Sequence, residues 1–434
     1  MNSYDIFDTL ITRWYKDPNS IFYQMEEILK IPDFCNIRKQ AEFSLSNPNL
    51  EDIYNIICSR LNLSNEQKNE MIKLEIDLEH KMSSPIIENM STVKDGDILI
   101  SDMYLNAEVI QSLLLKNGFN KKVNLYVSNG GKHNGWIWDK IPEKKQIELH
   151  MGDNHHSDVV SAMQHGINAV HYLGHNFNDK EQIMYRYNKS VSYISRILRL
   201  LNPFKINTFA NLLWNEASKY TIPINIILSN IIYNNVINKD YKYILFSTRD
   251  CHYLYEMFIN LYPQFKDKCR IFHTSRKMYY LPTEHYVTYA KQLMNNSLVI
   301  DLQGTGNSFK HFCENNNINS ELLIAIDTGE QMSNKKSVLN AKQCGLTDKI
   351  EKINYAPYGT LVDYTQKDVR LEPEYDTSLL VPYNRVLNEA VKLINNNFKI
   401  TNENNDQLML ELLKSLETDC TIQRIIQHVD NYPR

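Results

Sequence analysis

The sequence predicts an α/β protein built on doubly wound parallel sheets, and three observations carry that prediction. Short apolar runs alternate with helical stretches between Asp97 and Tyr172. The same alternation returns between Tyr243 and Asp327, and acids, hydroxyls and glycines collect where the apolar runs stop. Strands separated by short helices indicate parallel pairing, and strand ends in such sheets are where ligands bind. At 434 residues the chain exceeds one ordinary core. It reads as a first α/β domain over 1–175 with a helical insertion at about 14–94, a helical connector over 176–239, a second α/β domain over 240–387 and a helical tail over 388–434.

Taken in order, residues 1–10 read as a short strand running into a loop. From Trp14 to about Lys94, apolar residues recur three and four apart, in Ile21, Met25, Ile28 and Leu29 and again in Ile53, Ile56, Ile57 and Leu61. That spacing marks amphipathic helices, and no strand is expected there. Strands follow at 97–101, 123–127, 146–150 and 169–172, with helices at 107–117, 137–141 and 158–165 between them. Residues 176–239 read as helical, with Asn202-Pro203 as the break. The most apolar run, 222–237, is interrupted by Pro223 and by Asn225, Asn230, Asn234 and Asn235; it is too short to span a bilayer and reads as a buried helix. Further strands are expected at 243–247, 270–274, 298–301 and 322–327. The tail is helical from about 388 to 429, with polar turns at 395–397 and 402–405.

Composition narrows the function. With 47 basic and 51 acidic residues the net charge is -4, which argues against a broad nucleic-acid or anionic-membrane footprint. No nucleic-acid or membrane partner is expected, and the oligomeric state is open. The cysteines at 35, 58, 251, 269, 313, 344 and 420 are scattered and odd in number, and none forms a CxxC pair, so neither a disulfide framework nor a thiolate zinc site is suggested. Asp5 and Asp8 interrupt the apolar stretch that a secretory signal needs, and a cytoplasmic location is expected. Histidines at 133, 150, 155, 156, 165, 171 and 175 crowd one region, but they fall on different predicted elements. They read as solvated or packed side chains, not as a zinc site.

The chemistry is concentrated in four segments. Tyr4-Asp5-Ile6-Phe7-Asp8-Thr9-Leu10 joins a carboxylate at a strand end to a hydroxyl four residues later. Ile98-Leu99-Ile100-Ser101-Asp102, Gly130-Gly131-Lys132-His133-Asn134-Gly135 and Met151-Gly152-Asp153-Asn154-His155-His156-Ser157-Asp158 follow. In this order and with these residue types, the four resemble the motifs of the haloacid dehalogenase-like hydrolase superfamily, over residues 1–175. The resemblance implies that the insertion at 14–94 is a cap over the substrate and that Asp5 is the nucleophile forming an aspartyl-phosphate. It also implies that Thr9, Ser101 and Lys132 meet the phosphoryl group, and that Asp5, Asp153, Asp158 and the backbone carbonyl of Phe7 hold Mg²⁺. The implied substrate is a small phosphorylated metabolite. Phosphoryl transfer needs a nucleophile, a cation and donors aimed at the developing charge. Oxygen ligands suit Mg²⁺, and Lys132 would offset the crowding of three carboxylates, which otherwise raises the nucleophile's pKa.

One position departs from the pattern. Phosphatases of the resembled superfamily carry a second aspartate two residues after the nucleophile, as general acid and base; here that residue is Phe7, and Asp8 comes one later. On an extended segment, neighbouring side chains point opposite ways, so Asp8 is expected to face away from the leaving group. Four readings stay open. Asp8 turns in from an irregular loop, or His133, His155 or His156 takes the role; the substrate is an anhydride or acyl phosphate; the reaction is carbon–halogen cleavage; or the domain binds a phosphorylated ligand without turnover. The pair Asp153 and Asp158 favours a metal-dependent phosphate site over dehalogenation.

In the second half, Phe246-Ser247-Thr248-Arg249-Asp250-Cys251 and Leu298-Val299-Ile300-Asp301-Leu302-Gln303-Gly304-Thr305-Gly306-Asn307-Ser308 each run from a strand into a helix. Small residues let backbone amides approach a phosphate, and a helix N-terminus favours its charge. The second segment resembles the phosphoribosyl diphosphate loop of phosphoribosyltransferases, with the usual acid pair reduced to Asp301 and a shorter turn. The candidate ligand residues are Arg249, Asp250, Asp301, Gly304, Thr305, Gly306 and Ser308, with Arg276 and Lys277 adding positive charge. The two halves together resemble two-domain hydrolases found with bacterial surface-polysaccharide genes, which suggests a sugar phosphate. A bifunctional hydrolase and phosphoribosyltransferase-like enzyme, and a non-catalytic regulator that binds a phosphometabolite, are the alternatives.

Overall fold

Seven short strands organise the first 175 residues: Asn2–Tyr4 (β1), Ile11–Arg13 (β2), Ser83–Pro85 (β3), Ile98–Asp102 (β4), Asn124–Ser128 (β5), Leu149–Gly152 (β6) and Ala169–His171 (β7). In the computed structural model, which describes residues 1–330, 333–354, 356–365, 369–371, 380–398, 400–401 and 405–430, five of them form a parallel sheet in the order β5-β4-β1-β6-β7. Ile98, Leu99 and Ile100 are wholly buried, as expected where helices cover both faces of a parallel sheet. Ile137, Trp138, Ile141, Ala162 and Ile167 pack against β4 on one side. The strand order reverses beside β1, and a doubly wound sheet opens its ligand crevice at that switch point.

The insertion holds four long helices, Ser20–Leu29 (α1), Phe34–Phe43 (α2), Leu50–Leu61 (α3) and Asn65–Lys81 (α4), and a short one at Ile87–Met90. Capping boxes start two of them: Asn49 with Asp52 for α3 and Ser64 with Gln67 for α4, each satisfying amides that a helix start leaves unpaired. Arg38 of α2 is fully buried and donates to both carboxylate oxygens of Glu75 at 2.9 and 3.0 Å. Removing one partner of such a buried pair costs about 3–5 kcal/mol. The apolar spacing predicts an all-helical insertion, and the structure departs from it. The segment Ser83–Pro85 pairs antiparallel with Ile11–Arg13, a three-residue match that tertiary contact supplies and side-chain periodicity does not reveal.

The chain divides into two units: Met1–Phe177 with Leu200–Pro203, and Asn178–Arg199 with Phe204–Arg434. The helices of 178–239 therefore count with the second half. The expected buried helix is Ile222–Val236. A second parallel sheet follows, from Ile244–Ser247 (β8), Cys269–Phe272 (β9), Ser297–Gly304 (β10), Ser320–Asp327 (β11) and Lys335–Asn340 (β12), in the order β12-β11-β10-β8-β9. Its switch point lies between β8 and β10. Strand β12 and the antiparallel pair Leu361–Tyr364 (β13) with Val369–Leu371 (β14) were not expected from the sequence. In the tail, residues 395–397, expected as a turn, end the helix Val381–Asn397; 402–404 lie outside the described residues. Among the described residues no helix is long and apolar enough to cross a membrane.

Candidate functional site

β1 carries Asp5 to the carboxyl edge of the first sheet, between the ends of β4 and β6. The chain then closes a tight turn, in which the Leu10 and Ile11 amides donate to the Ile6 carbonyl at 2.8 and 3.0 Å and the Asp8 amide donates to Ile11 at 2.6 Å. Thr9, four residues after Asp5, donates its hydroxyl to Asp5 Oδ2 at 3.1 Å. Asp8 is not extended as expected: its φ is 57°. This left-handed turn brings an Asp8 oxygen, an Asp153 oxygen and a His175 ring nitrogen within 4.8 Å of one another. Thr12 donates to Asp8 Oδ1 at 2.5 Å, and the Phe7 ring lies 4.8 Å from the Arg13 guanidinium.

Asp5, Asp153 and Asp158 form the second convergence, each with an oxygen within 4.8 Å of the others. Asp158 sits in a π-helical turn, His155–Val160, directly after β6, an element that recurs at functional sites. Gly152 makes the approach feasible, since a Cβ there would lie 2.3 Å from Asp158 Cγ. Lys132, almost fully buried, donates to Asp5 Oδ1 and, at 2.6 Å, to Asp158 Oδ1. Ser101 is buried on β4, which lies beside β1.

Two residues without a role in the sequence reading set the Lys132 loop. The Asp102 carboxylate accepts from the Lys132 amide at 3.2 Å, the His133 amide at 3.1 Å and Ser128 Oγ at 2.6 Å. Ser161 donates to the Lys132 carbonyl at 2.7 Å and accepts from Trp138 Nε1 at 2.9 Å. The position of Asp102 directly after Ser101 was the available signal; Ser161 gave none. On the insertion side, Asn129 donates to the Pro48 carbonyl at 2.6 Å. His133, His155 and His156 are exposed. Of the seven crowded histidines, only His175 enters a possible ligand group among the described residues.

The electrostatics follow from burial and spacing. Burial raises Asp5 to about 6, with Lys132 pulling it down and Asp158 pushing it up. Burial opposes the charge of Asp158, but Lys132 and His150 outweigh it and hold that carboxyl below its ordinary value. Burial also opposes the charge of Lys132, and Asp5 and Asp158 outweigh it upward. Asp153 is raised to about 8 by burial, then by Asp5 and Asp8. An all-oxygen cluster with more negative charge than Lys132 balances fits a hard divalent cation.

In the second unit, Arg249, Asp250, Asp301, Gly304, Thr305, Gly306 and Ser308 all line one cavity of 460 Å³ at the sheet's switch point. Arg249 Nε donates to Asp250 Oδ1 at 3.1 Å. Asp301 is raised to about 7, by burial and then by Asp250. Glu351, outside the sequence reading, is raised to about 8 by burial and then by Asp250 and Asp301. Lys277, by contrast, is engaged with the Val362 carbonyl at 3.1 Å. No family model and no curated protein sequence matches the chain.

Proposed function

We propose that the first unit is a Mg²⁺-dependent phosphohydrolase of the haloacid dehalogenase-like type, acting through an aspartyl-phosphate on a small phosphorylated metabolite such as a sugar phosphate. The observation that carries this reading is the convergence of Asp5, Asp153 and Asp158 at a parallel-sheet switch point with Lys132 bonded to both Asp5 and Asp158. An ion held by Asp5, Asp153 and Asp158, with the Phe7 carbonyl, supplies positive charge against the phosphate oxygens.

The protein's own groups do the rest. A carboxylate oxygen of Asp5, mostly ionised at neutral pH, attacks phosphorus; the phosphorus–oxygen bond to the leaving group breaks as the aspartyl-phosphate forms. Lys132 and Ser101 offer donors to the phosphoryl oxygens, fixed in place before the reaction. Asp8 is the acid that protonates the leaving oxygen and the base that later takes a proton from water, because the left-handed turn puts its carboxylate beside Asp153. Water then cleaves the acyl phosphate and returns Asp5.

The test is phosphate release with Mg²⁺ from sugar phosphates, nucleotides and acyl phosphates, with Asp5→Asn as the blank. Turnover that disappears in that variant is the expected result. Turnover equal in both proteins removes Asp5 as nucleophile, and no turnover on any substrate shifts the reading to a binding protein.

A further inference from the structure

The loop that carries Lys132 is held from three sides, and one of them is the insertion. Resting on the hydrolase reading of the first unit, we propose that the insertion positions the catalytic ammonium: Asn129, bonded to the loop between α2 and α3, is a positioning residue that sets Lys132 against Asp5. The coupling runs through the backbone ahead of Lys132 and not through the substrate.

On the insertion side, residues 44–49 join α2 to α3 and are tied at both ends. The Ser44 amide donates to the Gln40 carbonyl at 3.0 Å and its hydroxyl to the Ala41 carbonyl at 2.8 Å, while Asn49 opens the capping box of α3. Between them Asn47 turns the chain at φ 53°, a conformation that asparagine adopts more readily than most residues, and Pro48 is buried. The Arg38–Glu75 pair pins α2 to α4 in turn. The place of the loop tip is therefore set by the helices of the insertion.

That tip rests on the residues directly ahead of Lys132. Asn129 Nδ2 donates to the Pro48 carbonyl at 2.6 Å. A Cβ on Gly130 would lie 2.4 Å from Asn47 Oδ1, and Gly130 takes φ 80°, so glycine fits both the turn and the close approach. Beyond it the loop is braced: the Asn134 amide and side chain both donate to the Gly130 carbonyl, at 3.0 and 2.8 Å, and the Ile137 amide donates to the Gly131 carbonyl at 3.2 Å. The bonds of Asp102 and Ser161 fall at Ser128, Lys132 and His133, which leaves Asn129 and Gly130 to the insertion. A shift of this pair is passed to Lys132, whose ammonium donates to Asp5 and, at 2.6 Å, to Asp158. A misplacement of about 1 Å costs about 10²-fold in rate even when its origin lies far from the chemistry. Because Lys132 meets the phosphoryl group that every substrate shares, its displacement slows all esters alike, whereas loss of a contact to the leaving group sorts them.

Steady-state kinetics of the full-length protein with Mg²⁺ on p-nitrophenyl phosphate, acetyl phosphate and glucose 6-phosphate test this. Two variants are compared with the parent: Asn129→Asp, which keeps the shape and replaces the donor by an acceptor, and Asn47→Gly, which keeps the turn and removes the contact. Each is expected to lower kcat about tenfold on every ester that the parent hydrolyses, alike within about twofold, with KM little changed. In a Lys132→Met background the same changes are expected to lower kcat by less than about twofold more, since their route to phosphorus is gone. Matched thermal transitions establish that each variant is folded. Variants that turn over like the parent, losses that differ between esters, a rise in KM alone, or a further loss of about tenfold in the absence of Lys132 overturns the proposal. A parent without Asp5-dependent turnover defeats the hydrolase reading instead, and amide exchange then decides on the anchor: faster exchange over residues 130–135 in Asn129→Asp is expected, and unchanged exchange overturns it.

Discussion

Asp5 and Asp301 occupy the same kind of position, an acid toward the carboxyl end of a central parallel strand beside a switch point, and differ in what stands next to them. Asp5 has a buried ammonium from its own unit, which bonds Asp158 as well. Asp301 has another carboxylate, Asp250, whose own partner is Arg249. The first site carries its balancing cation in the fold and spends stability to hold charged groups ready. The second leaves the Gln303 acceptor without a donor and an acid partly uncompensated. Two sheets of similar plan thus differ in charge balance: an ammonium is built in beside Asp5, and a second carboxylate stands beside Asp301.

The sharpest way to break this contrast is to take the ammonium away. Lys132→Met leaves Asp5 and Asp158 facing each other in a buried setting, much as Asp250 faces Asp301. Loss of one preorganised donor costs about 10²–10³ in rate, and here the donor also balances the nucleophile, so phosphate release is expected to fall about 10³-fold or more. Urea titration is expected to show a loss of about 3–5 kcal/mol for the broken pair. Turnover within tenfold of the parent would mean that Lys132 only holds structure.

Asp8→Asn probes the same site more gently. General acid–base help is worth about 10²–10⁴ in rate, so kcat on an alkyl phosphate is expected to drop in that range with KM little changed. A p-nitrophenyl ester, whose leaving group needs little protonation, is expected to lose much less. A loss below tenfold on both esters takes the acid role from Asp8.

Much of this arrangement was legible in the sequence, for physical reasons that also mark the limits. Strands buried on both faces must be apolar runs, and parallel strands need helices between them, so Ile98–Asp102, Ser297–Gly304 and their neighbours declare themselves. Their ends collect the polar residues, and the resemblance of those segments to the haloacid dehalogenase-like motifs implied that Asp5, Lys132, Asp153 and Asp158 share one site. Strand Ser83–Pro85 did not declare itself, because two hydroxyls and a proline have no strand period and only pairing with Ile11–Arg13 makes them one. Lys335–Asn340 was hidden by its lysines, the first of which is buried against Asp327. The orientation of Asp8 stayed open because alternation applies to extended chain, and nothing local announces a left-handed aspartate. Asp102 and Ser161 act on the backbone of a loop distant in sequence, a role that residue type alone cannot express.

The smallest effect expected is on stability, in the second unit, and its sign is what matters. Burial and Asp250 raise Asp301 from its ordinary 3.8 to about 7. Between those values the folded chain keeps a proton that the unfolded chain has lost, so stability falls as pH rises through that window and levels off above it. The slope for one such group is about 1.4 kcal/mol per pH unit at most; partial exposure and relaxation of Asp250 keep the total to a few kcal/mol. Asn mimics the neutral acid, so Asp301→Asn is expected to match the parent only below about pH 4, to exceed it modestly in urea titrations at pH 5 and to exceed it by more at pH 8. Equal stability offsets at pH 5 and pH 8 would mean that Asp301 is compensated within the fold, and the contrast between the two sites would lose its electrostatic basis.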